Sequence, residues 1–208
     1  MKRKVVFYAL VFLLLFLIGF TATVIINKIL DKGYTYEGKK GDYRIDVSKI
    51  GNVTIYSAHV EKGNIEYIYH FRNKPEELKN IYLEDNLLDK INRPKGVRNV
   101  YVTRDIEINK QTDNNVIIAG AAFEAILGTA DYSLYQIPLK NAYTTREDTK
   151  TPKITCKNVS PVDAVIYMKL ANETKVYSEN DCIIVQGIDS NTLIKAGEKL
   201  GYYLIGIY

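Results

Sequence analysis

The chain has no tryptophan, two cysteines and two histidines in 208 residues. That shortage removes most metal chemistry. Structural zinc sites space their ligands in tight local pairs, and neither Cys156 and Cys182, which form no CxxC, nor His59 and His70 do so. HExxH, GxSxG, Walker and EF-hand patterns are also absent, and "IIAGAA" lacks the spaced glycines of a dinucleotide fingerprint and the lysine of a phosphate loop. The sequence therefore offers no catalytic, cofactor-binding or metal-ligating residues as candidates, and no cofactor. No long proline or serine tract divides the chain. Charge of one sign is not concentrated either: 28 basic and 24 acidic residues leave +4, scattered through "NKPEELKN" and "DKINRPKGVR". Without a basic stripe, a nucleic-acid partner has no electrostatic footprint.

What the sequence does have is one long apolar run, "VVFYALVFLLLFLIGFTATVII" at 5–26, free of charge and proline. Its length suits a hydrocarbon core of about 30 Å at about 1.5 Å per residue. A cleaved signal peptide is the alternative, but its apolar region is usually about 7–15 residues and ends in a small-x-small site, for which "TAT" at 21–23 is poor. The expectation is an uncleaved signal anchor embedded in membrane lipid, preceded by a basic tail at 1–4. Lys2, Arg3 and Lys4 lie before the span and Lys28, Lys32, Lys39 and Lys40 after it, so charge nearly ties. The compactness of the first cluster and the inventory downstream favour the N-terminus inside the cell membrane and residues 27–208 outside.

Outside the cytoplasm an even cysteine count reads most simply as one disulfide, Cys156–Cys182, with a pair of buried thiols as the alternative. Two sequons, at Asn52 and Asn172, lie beside turn-like residues and are candidate glycosylation sites. Seventeen tyrosines fit half-buried sheet positions.

The segment 27–42 reads as a juxtamembrane stalk, and 43–208 as a single extracytoplasmic domain of α/β or α+β class with one mixed sheet. In "TIYSAHVEKGNIEYIYHFR", a turn at Lys62-Gly63 pairs Val60 with Ile65, Ala58 with Tyr67 and Tyr56 with Tyr69, collecting an apolar face. The same register sets His59 across from Glu66 and leaves His70 roughly 13 Å along its strand, too far to share a metal. His59 is expected as a surface histidine, with a titrating His59–Glu66 pair as the functional alternative. "KPEELKNIYLEDNLLDKINRPKG" predicts one or two short helical turns, and its acidic pairs read as solvated helix-start carboxylates.

"VRNVYVTRDI" predicts a strand. A helix follows in "DNNVIIAGAAFEAILGT", capped by Asp113 or Asn114 and striped by Val116, Gly120, Phe123 and Leu127, and then a strand at "YSLYQIP". A competing reading makes "NVIIAG" a strand and "AAFEAIL" the helix. Strand-helix-strand order implies parallel strands. The last third predicts strands "KITC", "AVIYMKL", "TKVYSEN" and "CIIVQG", with "ANE" at 171–173 as a hairpin turn and "CIIVQG" covered on both sides. Asp189 or Ser190 caps a final helix with Leu193, Ala196, Leu200 and Leu204 on its buried stripe, packed on the sheet.

"NVYVTRDIEI", "AAFEAILGT", "ITC" and "CIIVQGIDSNTLIKAGEKLGYYLIG" resemble uncharacterised archaeal membrane-anchored proteins with a paired-cysteine strand and a terminal helix. The resemblance spans residues 80–208 and implies no activity. A likeness to archaeal surface-layer proteins rests on "VIIAG" and "CIIVQG" alone. The expected function is a non-enzymatic structural or interaction module of the cell envelope, with an envelope protein as candidate partner. The rival is an envelope enzyme whose acids, such as Glu124, Asp163 and Asp181, come from separate loops. A pilin-like subunit fails, because no acidic residue lies near the start of the apolar segment.

Overall fold

A computed structural model describes residues 33–92, 96–105, 115–145 and 151–208. The apolar segment 5–26 and the helix cap expected at Asp113 or Asn114 lie outside these residues. Among the described residues, no helix is long and apolar enough to cross a membrane.

Two sheets form, where one was expected. The first is an antiparallel meander of β1 (Tyr34–Gly38), β2 (Gly41–Ile50), β3 (Val53–Lys62) and β4 (Ile65–Phe71) in that spatial order. Folding thus begins at Tyr34 rather than Tyr43, because "YTYEG" buries Tyr36 and pairs with β2 residue for residue from Tyr34↔Ile45 to Gly38↔Gly41. The segment read as a stalk is, from Tyr34 onward, part of the domain.

The hairpin of β3 and β4 keeps its expected face but pairs two residues further along. Gly63-Asn64 forms the loop and Lys62 faces Ile65, so Val60 pairs with Tyr67, Ala58 with Tyr69 and Tyr56 with Phe71. Gly63 takes φ +64°, the first central position of a II′ turn, whose twist suits the flanking strands. A shift of two preserves side-chain parity. The cost falls on Ile65, which becomes 57% exposed at the hairpin tip, while Phe71 joins the core. Tyr67 is only half-buried. Tyr67→Ala should therefore cost about 1–2 kcal/mol, mid-range for a single substitution, as measured by urea unfolding, rather than the loss of a core aromatic.

Beyond β4, α1 (Pro75–Leu78) and a 3₁₀ turn at Leu87–Lys90 match the short helical turns expected there, and between them lies a two-residue strand that was not expected, β5 (Tyr82–Leu83). β6 (Asn99–Arg104), α2 (Asn115–Leu127) and β7 (Leu139–Tyr143) make the strand-helix-strand unit, with β6 and β7 parallel. Val116, Gly120, Phe123 and Leu127 are all buried, so the helical reading of "NVIIAG" holds. The strand expected at "YSLYQIP" instead starts at Leu139. The amides of Leu134 and Tyr135 donate to Ile126 O and that of Ile137 to Leu127 O, which wraps this segment around the end of α2 and leaves none of these amides for a ladder.

β8 (Asp163–Leu170), β9 (Lys175–Glu179) and β10 (Cys182–Gly187) complete a six-stranded sheet of order β5-β9-β10-β8-β6-β7. Two expectations fail here. β8 and β9 are not a hairpin around "ANE", because β10 inserts between them, parallel to β8 and antiparallel to β9. The true hairpin joins β9 to β10 through Asn180 and Asp181, both with positive φ (49° and 65°), the backbone of a I′ turn, which asparagine and aspartate tolerate. "KITC" is no strand either. Lys153 makes one bridge to Tyr143, and Thr155 then caps a 3₁₀ turn at Cys156–Asn158.

α3 (Ser190–Leu204) starts at Asp189, whose carboxylate accepts from Thr192 N while the Thr192 hydroxyl accepts from Asp189 N. Leu193, Ala196, Leu200 and Leu204 are buried as expected. The helix lies between the sheets: it packs on β10, and Tyr202 stacks on Phe71 of β4 with ring centroids 3.7 Å apart. One core links both sheets, α2 and α3. A smaller cluster on the far side of the six-stranded sheet, Val165, Cys182 and Ile184 with Ile154, Cys156 and Val159, lies under the segment that the disulfide ties down. β10 is accordingly buried at every residue.

Candidate functional site

The acids proposed for a dispersed active site do not converge. Glu124 lies on α2, with its carboxyl pushed up by burial and partly pulled back by Arg104. Asp163 opens β8 and accepts from Asn99 Nδ2 at 2.8 Å and Ser160 Oγ at 3.1 Å, a turn-closing role. Asp181 sits in the β9–β10 turn, 2.5 Å from Lys90 Nζ. Among the described residues, none of the five main cavities is lined by two of them. Asn52 and Asn172 are exposed, in the β2–β3 turn and the loop after β8. Among the described residues, no group of three or more His, Cys, Asp or Glu could hold a metal.

Three arrangements of side chains stand out. The first corrects the reading of His59. Its side chain is only 12% exposed, with Nε2 2.9 Å from Asp46 Oδ2 and Nδ1 2.8 Å from Glu66 Oε1. In the ladder His59 faces Ile68, and Glu66 reaches it diagonally. Ionised carboxylates only accept, so both contacts are hydrogen bonds only when both ring nitrogens carry protons. Arg44 adds two bonds to Asp46, at 2.9 and 3.0 Å. Burial raises the Asp46 carboxyl, but the bonds from Arg44 and His59 together outweigh it and leave it below the usual range. The stabilisation from Asp46 is then present above its unfolded value of about 3.9 and lost as pH falls through the lower folded value. Asp46→Asn should flatten the acid limb of the stability profile in that window, read by urea melts across acid pH. An unchanged limb would remove Asp46 from the acid response. His59 and Glu66 also line a cavity of about 780 Å³ beside Tyr43, Arg44 and Tyr135.

The second arrangement is structural. Glu198 on α3 is 3% exposed and accepts from Arg72 N (2.6 Å), Asn73 N (3.0 Å) and Asn73 Nδ2 (2.7 Å), pinning the end of β4 to α3. Burial pushes its carboxyl up, and these three donors oppose the rise. Next to it, Lys199 is brought down to about 8 by burial and by Lys79, with Nζ 3.2 Å from the Tyr208 ring centroid.

The third is a groove of about 620 Å³ between β4 and α2. β4 is an edge strand of the first sheet. Three large apolar side chains line the groove yet stand in water: Ile68 (43% exposed), Ile117 (56%) and Tyr132 (64%). Ala121 and Ala125 of α2 line it as well, and small residues there leave it open. Sequence reasoning missed it, although two signals were present. Ile68 breaks the polar alternation of its strand face, and Ile117 lies off the buried stripe of α2.

Comparison with protein families, curated proteins and solved structures gives no match for this chain. No relative supplies a substrate or partner, so function rests on the geometry.

Proposed function

We propose that the protein is a single-pass, membrane-anchored module of the cell envelope whose extracytoplasmic domain binds a protein partner. The observation that carries the binding role is the β4–α2 groove, because large apolar side chains grouped around a concavity mark interaction surfaces, whereas apolar residues scattered singly do not. Support for the location comes from the apolar run at 5–26 and from the disulfide, since such bonds persist in oxidising compartments and are rare in the cytosol. The exposed sequons at Asn52 and Asn172 fit an outward-facing domain.

The competing reading is an envelope enzyme, and of the main cavities the one beside His59 holds a histidine between carboxylates. Both nitrogens of that ring are already engaged by carboxylates, which leaves no free nitrogen to act as base on a substrate.

Topology is tested by adding protease to intact cells stripped of any outer coat. Residues 27–208 should be shaved from the membrane. Protection in intact cells, with digestion only after lysis, would reverse the orientation.

A further inference from the structure

We infer that the β4–α2 groove takes an extended peptide segment that adds a strand to β4, places alternate apolar side chains against α2 and sets a carboxylate beside Arg72. This rests on the reading of the domain as an interaction module and names what the module recognises.

Three features of the groove lead there. An edge strand offers unpaired backbone N–H and C=O groups, and a peptide that satisfies them gains main-chain hydrogen bonds independent of its sequence. β4 pairs only with β3, and among the described residues no backbone group bonds to Ile65–Phe71 from the other side. With seven residues, it presents about 23 Å of edge at about 3.3 Å per residue.

The wall opposite that edge is suited to side chains from such a strand. Ile117, Ile118, Ala121 and Ala125 face the groove from α2, so the wall is bulky near the start of the helix and small beyond it, leaving room for apolar side chains. Side chains of an added strand point alternately to its two faces. One set would meet α2, and the other would stay in water.

Charge gives the segment its acidic character. The ionisable side chains that line the groove, tyrosines aside, are His70, Arg72 and Glu198. Glu198 is buried and spends its oxygens on Arg72 N and Asn73. Arg72 is exposed and has no ion pair among the described residues, and His70 engages only the Ser57 hydroxyl, at 2.9 Å. The open rim is therefore basic. It lies at one end: Glu198 holds Arg72 next to Gly197, which abuts Ala119 in the first half of α2, whereas Tyr69 reaches Tyr132 beyond the last turn. Arg72, without an ion pair among the described residues, sets the attraction at this end for an aspartate, a glutamate or a chain-terminal carboxylate.

The test selects a display library of random decapeptides on the full chain in nanodiscs, with counter-selection on empty nanodiscs. Enriched peptides are then synthesised and titrated by fluorescence anisotropy. They should alternate apolar and polar residues and carry an acidic group. Ala121→Trp, which fills the groove, and Ile117→Glu, on an exposed position, should each weaken binding at least tenfold with little change in melting temperature. Arg72→Ala should weaken acidic peptides and leave their amidated or Gln-substituted analogues unaffected. N-methylation of alternate peptide amides should abolish binding.

Enriched peptides with helical periodicity or a basic character, or binding indifferent to these variants, would overturn the strand-addition mode and leave the interaction module standing. No enrichment at all would overturn both. A concentration-dependent dimer in light scattering that Ile117→Glu abolishes would assign the groove to a second copy of this chain and overturn the peptide.

Discussion

Gly197→Val should destabilise the domain by more than about 4 kcal/mol, at the far end of what single substitutions do. The reason is where a side chain would have to go. A Cβ at position 197 would lie 1.9 Å from Ala119 O, 2.8 Å from Ala119 C and 3.3 Å from Ala119 Cα. All three are backbone atoms of a neighbouring helix, which cannot rotate away as a side chain can. α2 and α3 must then part, and parting them loosens the core that the two helices share, to which Phe123, Ile126, Leu193 and Leu200 contribute fully buried side chains. Helix propensity pulls the other way, since glycine is worse than other residues inside a helix by up to about 1 kcal/mol. The backbone clash wins, because overpacking alone typically costs about 1–3 kcal/mol even where side chains can adjust. For a domain of this size the expected loss is about 8–16 °C in melting temperature, at about 2–4 °C per kcal/mol. Gly201→Ala is the comparison. Its nearest neighbours are the edge of the Phe71 ring at 2.9 Å, which can rotate, and the Ala122 methyl at 3.3 Å, which needs to yield only a few tenths of an ångström, so it should lose much less. Equal losses at the two positions would mean that α2 does not approach α3 as closely as described.

The elements that were legible in the sequence are those fixed by local chemistry. The Asp189–Thr192 cap and the spacing of Leu193, Ala196, Leu200 and Leu204 specify α3 without reference to the rest of the chain. The stripe from Val116 to Leu127 does the same for α2. In the β3–β4 hairpin the alternation was enough to assign faces, but the pairing depended on whether Lys62-Gly63 or Gly63-Asn64 makes the turn, and a shift of two leaves every face unchanged. Sheet order was beyond such reasoning. Nothing within "AVIYMKL" or "TKVYSEN" says that a strand from further along the chain will insert between them, because the insertion is decided by the full burial of β10 between two neighbours. The groove was hidden for a related reason. Ile68 and Ile117 are ordinary apolar residues in their own elements, and become a surface only when the edge of β4 is set beside α2. His59 was expected at the surface with Glu66 as its one alternative partner, and Asp46 was missed because it comes from β2, a strand that the sequence reading did not assign.

Breaking the Cys156–Cys182 bond should lower stability by about 3.5 kcal/mol, the loop-closure entropy that the chain-entropy model assigns to a bridge of this span. The two cysteines are 26 residues apart in sequence, with Cα atoms 5.2 Å apart. The bond acts at a place where little else holds the chain. Residues 153–161 form no strand ladder and cover the far side of the six-stranded sheet through Ile154, Cys156 and Val159, helped by the Thr103 hydroxyl donating to Ile154 O at 2.7 Å. Without the bond this cover can lift, exposing Val165 and Ile184, each only 1% exposed in the folded chain. The double variant Cys156→Ala with Cys182→Ala should therefore melt earlier than the oxidised protein, and a reducing agent should produce a similar fall. The variant also separates the bond from the compartment. Protein purified from its own membrane without reductant should yield a linked peptide pair by mass spectrometry, since an outward-facing domain meets oxidising conditions. If both thiols of that protein are instead free and alkylate only after unfolding, the bond is not made in the cell and the extracytoplasmic location loses its main structural support. If the bond is present but its removal leaves the melting temperature unchanged, residues 153–161 must be held to the sheet by the apolar contacts of Ile154 and Val159 and the hydrogen bonds of Ile154 to Thr103 and Tyr143.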